Sequence, residues 1–208
     1  TASTFHARDP VYNPLASEVR ENYQALIDET LNRYGKHEAF LGINLIFHTA
    51  QPIWFGSIHS GYGDANCQRF AGETGIELPF DAKEPFRFRK RAKWILDNHR
   101  EEWIAWRCRH VTDWILQLNE RVRRFNPRSR LYCTIRLPQK PDHLARIEAG
   151  EATAEDYVRE AGLDLPRLRK VEGLVIDYLL NPCDGRWWKA NARSMPEAWL
   201  KRDIDFDP

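Results

Sequence analysis

Residues 40–70 read FLGINLIFHTAQPIWFGSIHSGYGDANCQRF, and their pattern decides the fold class. Leu41, Ile43, Leu45 and Phe47 alternate on one face, as a strand buried on that side requires. Gly42, Asn44, Ile46 and His48 alternate on the other, which turns polar towards its end. A loop follows with Trp54, Phe55, His59, Tyr62 and glycines at 56, 61 and 63. Asp64 then stands where a helix N-cap would stand, ahead of ANCQRFAGET. A strand running into an aromatic, glycine-rich loop and then a helix is how the carboxyl-end rim of an α/β sheet is built. The stretch therefore reads as the floor and wall of a pocket.

Outward from it, the same rules order the rest of the chain. Residues 1–16 contain proline, lack periodicity and read as an extended lead-in. Ser17 opens a helix whose stripe is Val19, Tyr23, Leu26, Ile27, Leu31 and Tyr34, and Gly35 ends it. A helix spans about 64–74. Helical periodicity returns over 84–125, with Trp94, Trp103, Trp106 and Trp114 on its stripe, and its phase slips at Asp97-Asn98-His99, which predicts a break there. Arg130–Leu137 is a second strand, with Tyr132, Thr134 and Arg136 on its polar face. Helical patches follow at about 142–149 and 153–161, the latter opened by Thr153 and Asp156 as a capping box. Val171–Leu180 is a third strand carrying Asp177, and 181–208 form an irregular tail with Trp187 and Trp188.

Strands separated by helices imply right-handed crossovers and a parallel sheet. The 208 residues form a single α/β domain: either a compact three-stranded one, or part of a parallel (β/α) barrel whose other strands lie outside these residues. The unprotected edges of a three-stranded sheet favour the barrel.

Composition narrows the function classes. The formal net charge is +1, so no global field points to a polyanion. Residues 83–130 are locally basic, with fourteen Lys or Arg against six acids. A solvated helix face explains this better than a nucleic-acid groove. No apolar run is long enough to span a membrane. Compartment and oligomeric state stay open. The four cysteines lie far apart without metal or redox spacing, and Cys108 and Cys133 fall in apolar elements as buried thiols. No P-loop, GxGxxG, HExxH or GxSxG pattern is present, and neither cofactor nor metal is expected.

Asn44, His48, Arg136 and Asp177 all fall at or near the carboxyl ends of their strands, where a barrel gathers its chemistry. Each also has a plain structural reading. Asp177 and Arg136 suit a buried ion pair, Asp64 suits a helix cap, and His48 and His59 suit hydrogen-bonded structural groups. Trp54 and Trp187 lie outside regular periodicity, where packing and a ligand platform fit equally.

The runs RYGKHEAFLGINLIF, SIHSGYGDANCQRFAGETGIELP and RFRKRAKWILDNHREEWIAWRCRHVTDWI resemble bacterial glycoside-hydrolase-like (β/α)-barrel proteins over roughly 33–137. The likeness rests on the Tyr34-Gly35-x-His37-x-x-Phe40-x-Gly42 approach, the Gly61-Tyr62-x-Asp64 loop and the Phe70-x-x-Glu73-Thr74-Gly75 helix end. A Trp-rich helix then precedes the next strand. The resemblance implies a (β/α)8 fold and an oligo- or polysaccharide substrate. Barrel glycosidases of this broad clan carry Asn-Glu at the end of a mid-barrel strand, and here Phe47-His48-Thr49 stands in that place. On this reading hydrolysis would use two carboxyls flanking the bond, about 5–5.5 Å apart for retention or about 6.5–9.5 Å for inversion. Asp177 and Asp64 are the candidates, with Asn44, His48, His59 and Arg136 contacting substrate and Trp54, Tyr62 and Trp187 stacking on sugar. The alternatives are a non-catalytic module binding glycan or protein and, third, a basic nucleic-acid-binding domain.

Overall fold

A computed structural model describes residues 12–48, 51–79, 83–136, 146 and 149–178. Among them, three strands and six helices run in the order α1 (Ser17–Tyr34), β1 (Gly42–Phe47), α2 (Asp64–Thr74), α3 (Arg87–Asn98), α4 (Arg100–Phe125), β2 (Arg130–Ile135), α5 (Ala154–Glu160), α6 (Leu165–Leu168) and β3 (Leu174–Tyr178). Of the expected patch at 142–149 only 146 and 149 are described, and the tail from 181, with Trp187, lies outside the described residues.

The strands form one parallel sheet in the order β1-β2-β3. Gly42 faces Arg130 and Phe47 faces Ile135, while Leu131 faces Leu174 and Ile135 faces Tyr178. This corrects the barrel. A (β/α)8 barrel is a closed ring of eight strands, whereas among the described residues β1 and β3 both end the sheet and nothing joins them.

The 26-residue α4 is the beam on which the helical layer is built. It buries Trp103, Ile104, Trp106, Val111, Trp114, Ile115, Leu118 and Val122, so its three tryptophans are core. Trp103 and Trp106 stack at 5.0 Å, Phe70 of α2 meets both edge-on, and Tyr23 of α1 meets Trp114 at 5.8 Å. Against this layer lie Leu45, Phe47, Leu131, Cys133 and Ile135, all buried, with Ile43, Leu174 and Ile176 partly buried. The break between α3 and α4 falls at His99 (φ −141°), where the apolar phase slips.

Local signals set the element ends. Thr153 and Asp156 form the full capping box of α5, and Asp164 caps α6. At α1 and α2 the caps shift by one residue: Ala16 and Gly63 take the cap positions, and Ser17 and Asp64 become first helical residues.

The opposite sheet face is open among the described residues. Asn44 and Asp177 are exposed, Ile46 is 43% exposed, and Tyr132 is half-buried. Parallel sheets usually bury both faces; among the described residues the helices cover only one face of this sheet.

Gly42 begins β1 at φ +148°, where an added Cβ would lie 1.9 Å from the Arg130 carbonyl oxygen. Gly42→Ala must therefore push β1 off β2, at a cost on the order of 3 kcal/mol. Urea unfolding measures this, and an unchanged midpoint would show that the strands part freely at this point.

Candidate functional site

The loop between β1 and α2 closes over the carboxyl end of β1, and its aromatics point inward. Trp54 is 2% exposed; its Nε1 donates to the His48 carbonyl (2.7 Å) and its ring meets Phe47 edge-on at 5.5 Å. Tyr62 is 5% exposed, stacks on Trp103 at 5.1 Å and donates its hydroxyl to the Ile58 carbonyl (2.8 Å). Burial pushes the Tyr62 phenol up to about 12. Beneath them the fully buried Arg107 of α4 donates to the carbonyls of Ser57 (2.7 Å) and Ile58 (3.4 Å) and lies over Phe55 at 4.2 Å. The expected sugar platforms Trp54 and Tyr62 are thus core residues that hold the loop in shape. Only His59 of the three expected loop contacts is exposed.

Asp64 sits apart from the strands' polar groups. Its carboxylate accepts from Arg87 (3.1 and 2.9 Å) and Arg91 (2.5 Å). The hydrogen bond from Arg87, then that from Arg91, holds its pKa well below the usual carboxylate range. A general acid needs the opposite shift, whereas this geometry makes Asp64 an ion-pair anchor of α2 to α3.

Glu73, which the sequence leaves looking like a solvated turn residue, is a hub. Its Oε1 accepts from Arg69 (2.7 Å); its Oε2 accepts from Trp106 Nε1 (2.9 Å), Arg109 (2.7 Å) and His110 Nε2 (2.6 Å). Burial opposes ionisation, but the Arg69 and His110 hydrogen bonds outweigh it and bring Glu73 down to about 2. Arg69 approaches Nδ1 of His110 at 3.3 Å and has only donors, so the imidazole carries its hydrogen on Nε2. Burial lowers the His110 pKa despite Glu73. The one sequence signal for this hub is the Phe-x-x-Glu-Thr-Gly helix end that holds Glu73.

A cavity of about 360 Å³ between α4, α5 and α6 is lined by Cys108, Arg109, Asp156, Arg159, Asp164 and Arg167. Its charges are already engaged. Arg159 pairs with Glu101, Arg167 with Asp113 and Arg109 with Glu73, while Asp156 and Asp164 cap helices. Burial pushes the Cys108 thiol up to about 12, far from the thiolate that reaction needs. Among the described residues no cluster of His, Cys, Asp or Glu could hold a metal ion. No helix there is long and apolar enough to cross a membrane.

The open sheet face does gather polar groups. Thr134 is opposite Ile46 on one side and Asp177 on the other, and donates its Oγ1 to Asn44 Oδ1 (2.9 Å). Arg136 follows Thr134 by one pleat and stays tied to β1 through its N–H to the Phe47 carbonyl (2.8 Å). His48 lies beside it, one residue past Phe47, with its Nε2 2.8 Å from Gln51 Nε2. That amide nitrogen only donates, so Nε2 of His48 accepts. Asn44, His48, Arg136 and Asp177 therefore share one face. Arg136 and Asp177 are both exposed, so the buried ion pair expected between them is absent.

Two results test this division between scaffold and site. Trp54→Ala should cost about 3–5 kcal/mol, as for other buried aromatics; a urea midpoint that does not move would return the loop to the surface. Acidification should destabilise the fold through Glu73 and His110 together. Both have folded pKa values below their unfolded ones (4.5 and 6.5), so the unfolded chain binds the proton more readily. The His110 contribution falls away as pH drops through 6.5, and that of Glu73 between 4.5 and about 2. Glu73→Gln should flatten the unfolding free energy against pH below pH 4.5, by an amount on the order of 1–2 kcal/mol. Superimposable curves for the two proteins would remove Glu73 from that role.

No family model, curated protein or solved structure matches this chain significantly, so its functional reading rests on the geometry above.

Proposed function

We propose that the chain recognises oligosaccharide on the open face of its sheet, with Asp177 accepting from and Asn44 donating to sugar hydroxyls, buried Thr134 holding Asn44 in place, and Tyr132 offering ring surface beside them. The observation that carries this reading is the exposure of Asn44 and Asp177 on a sheet face left open among the described residues, the kind of strand surface beside which α/β folds bind ligands. Hydroxyl-rich ligands suit such a face, because a carboxylate accepts from a sugar hydroxyl while an amide NH2 donates to one.

Binding is better supported than hydrolysis. Paired-carboxylate cleavage needs a second carboxyl near Asp177. Among the described strand residues that face carries one carboxylate, and Asp64 is engaged by two guanidiniums. The basic run 83–130 gives nucleic acid little to hold: Arg87, Arg91, Lys93, Arg100, Arg109, Arg121, Arg123 and Arg124 are all ion-paired.

The test is calorimetric titration with a panel of neutral and acidic oligosaccharides, with reducing-end release followed in parallel. Asp177→Asn should weaken binding by about tenfold, the worth of one charged hydrogen bond, with little change in melting temperature because Asp177 is exposed. Unchanged affinity in Asp177→Asn would overturn the assignment of the face, and sugar release abolished by Asp177→Asn would turn the reading to hydrolysis.

A further inference from the structure

We infer that the sheet-face site takes acidic sugars, a hexuronate in particular, and that Arg136 is the residue that selects them; this rests on the glycan-binding reading above. The helical layer neutralises its own charge almost completely. Arg87 and Arg91 share Asp64, Lys93 pairs with Asp97, Arg100 with Glu160 and Arg109 with Glu73. Arg89 of α3 and Arg130 and Arg136 of the open sheet face stand outside that pattern, and of these Arg136 lies at the carboxyl end of the face. Among the described residues its guanidinium makes no ion pair or hydrogen bond, and it is exposed on the carboxyl-end side of the open face.

Its position gives the free charge a use. Arg136 lies one pleat beyond Thr134, about 6.6 Å along the strand. That is within the span of one sugar ring and its exocyclic carboxylate. A ring seated on the exposed Asn44 and Asp177 by its hydroxyls would bring its C6 carboxylate to Arg136. The guanidinium fork matches a carboxylate with two parallel N–H bonds, which an ammonium could not do. The negative charge of Asp177 opposes an anionic ligand, but it stands across from Thr134, one pleat away from where the carboxylate would sit. A neutral sugar would leave Arg136 with water alone. The arrangement therefore discriminates by charge as well as by hydroxyl pattern.

The experiment is titration of the full chain with an oligogalacturonide, the neutral galacto-oligosaccharide of equal length, and a sulfated oligosaccharide, at low and physiological salt. The oligogalacturonide should bind about tenfold tighter than the neutral sugar, with the margin shrinking as salt rises. Arg136→Gln should remove that margin. Arg130→Gln, which deletes an exposed charge at the amino end of the same strand, should keep it. Equal affinity for acidic and neutral sugars, or a preference that survives Arg136→Gln, would overturn the inference and leave glycan binding standing. A stronger, Arg136-dependent preference for the sulfated sugar would overturn the uronate assignment. Failure of every sugar to bind would reject the glycan reading itself, and this inference with it.

Discussion

The structure turns on one buried cation. Among the described residues no carboxylate pairs with Arg107 of α4, and its counter-groups are the Ser57 and Ile58 carbonyls and the face of Phe55. Desolvation lowers its pKa to about 10, so it remains charged at neutral pH. An unpaired buried charge is costly in an apolar setting, and here carbonyl dipoles and a cation–π contact offset that cost. In return the loop after β1 is pinned to the central helix. Tyr62 closes the same loop from its other end, stacked on Trp103 and bonded to Ile58. The rim of the sheet inherits its shape from this arrangement.

A second constraint follows from the one-sided packing. The helices cover the Leu45, Cys133 and Ile176 face and leave the Asn44, Thr134 and Asp177 face open among the described residues. Thr134 is the exception on that face: it is 7% exposed, because neighbours on both flanking strands crowd it. Charge is divided along the same line. Acids and bases of α2, α3 and α4 satisfy one another across the helical layer, through Asp64 and Glu73 above all. The exposed polar groups of the strands, Asn44, Arg136 and Asp177, stand outside that helical network. On the proposed reading recognition falls to the strands, while many of the helical charges hold helices together.

Alternation and periodicity made the three strands, the long helices, the break at His99 and the Thr153 capping box legible, because each is set by neighbours within a few residues. The grouping of Asn44, His48, Arg136 and Asp177 on one face was legible for the same reason. Closure was not. The apolar faces of three strands look alike in an open sheet and in a barrel, so the barrel followed from an argument about edges that the strand order contradicts. The loop aromatics misled for a related reason: irregular spacing marks a loop, but does not say which way its rings point.

The sequence by itself determined which residues are strand, which are helix and which side of each is apolar, since backbone periodicity projects side chains at fixed angles. Only the tertiary structure decided what each polar group answers to. It set Asp64 against two arginines 23 and 27 residues away, Glu73 against His110, and Arg107 against a loop about 50 residues earlier. It also left Arg136 without a partner among the described residues. Electrostatic roles depend on distance and desolvation, and both arise only when remote segments pack.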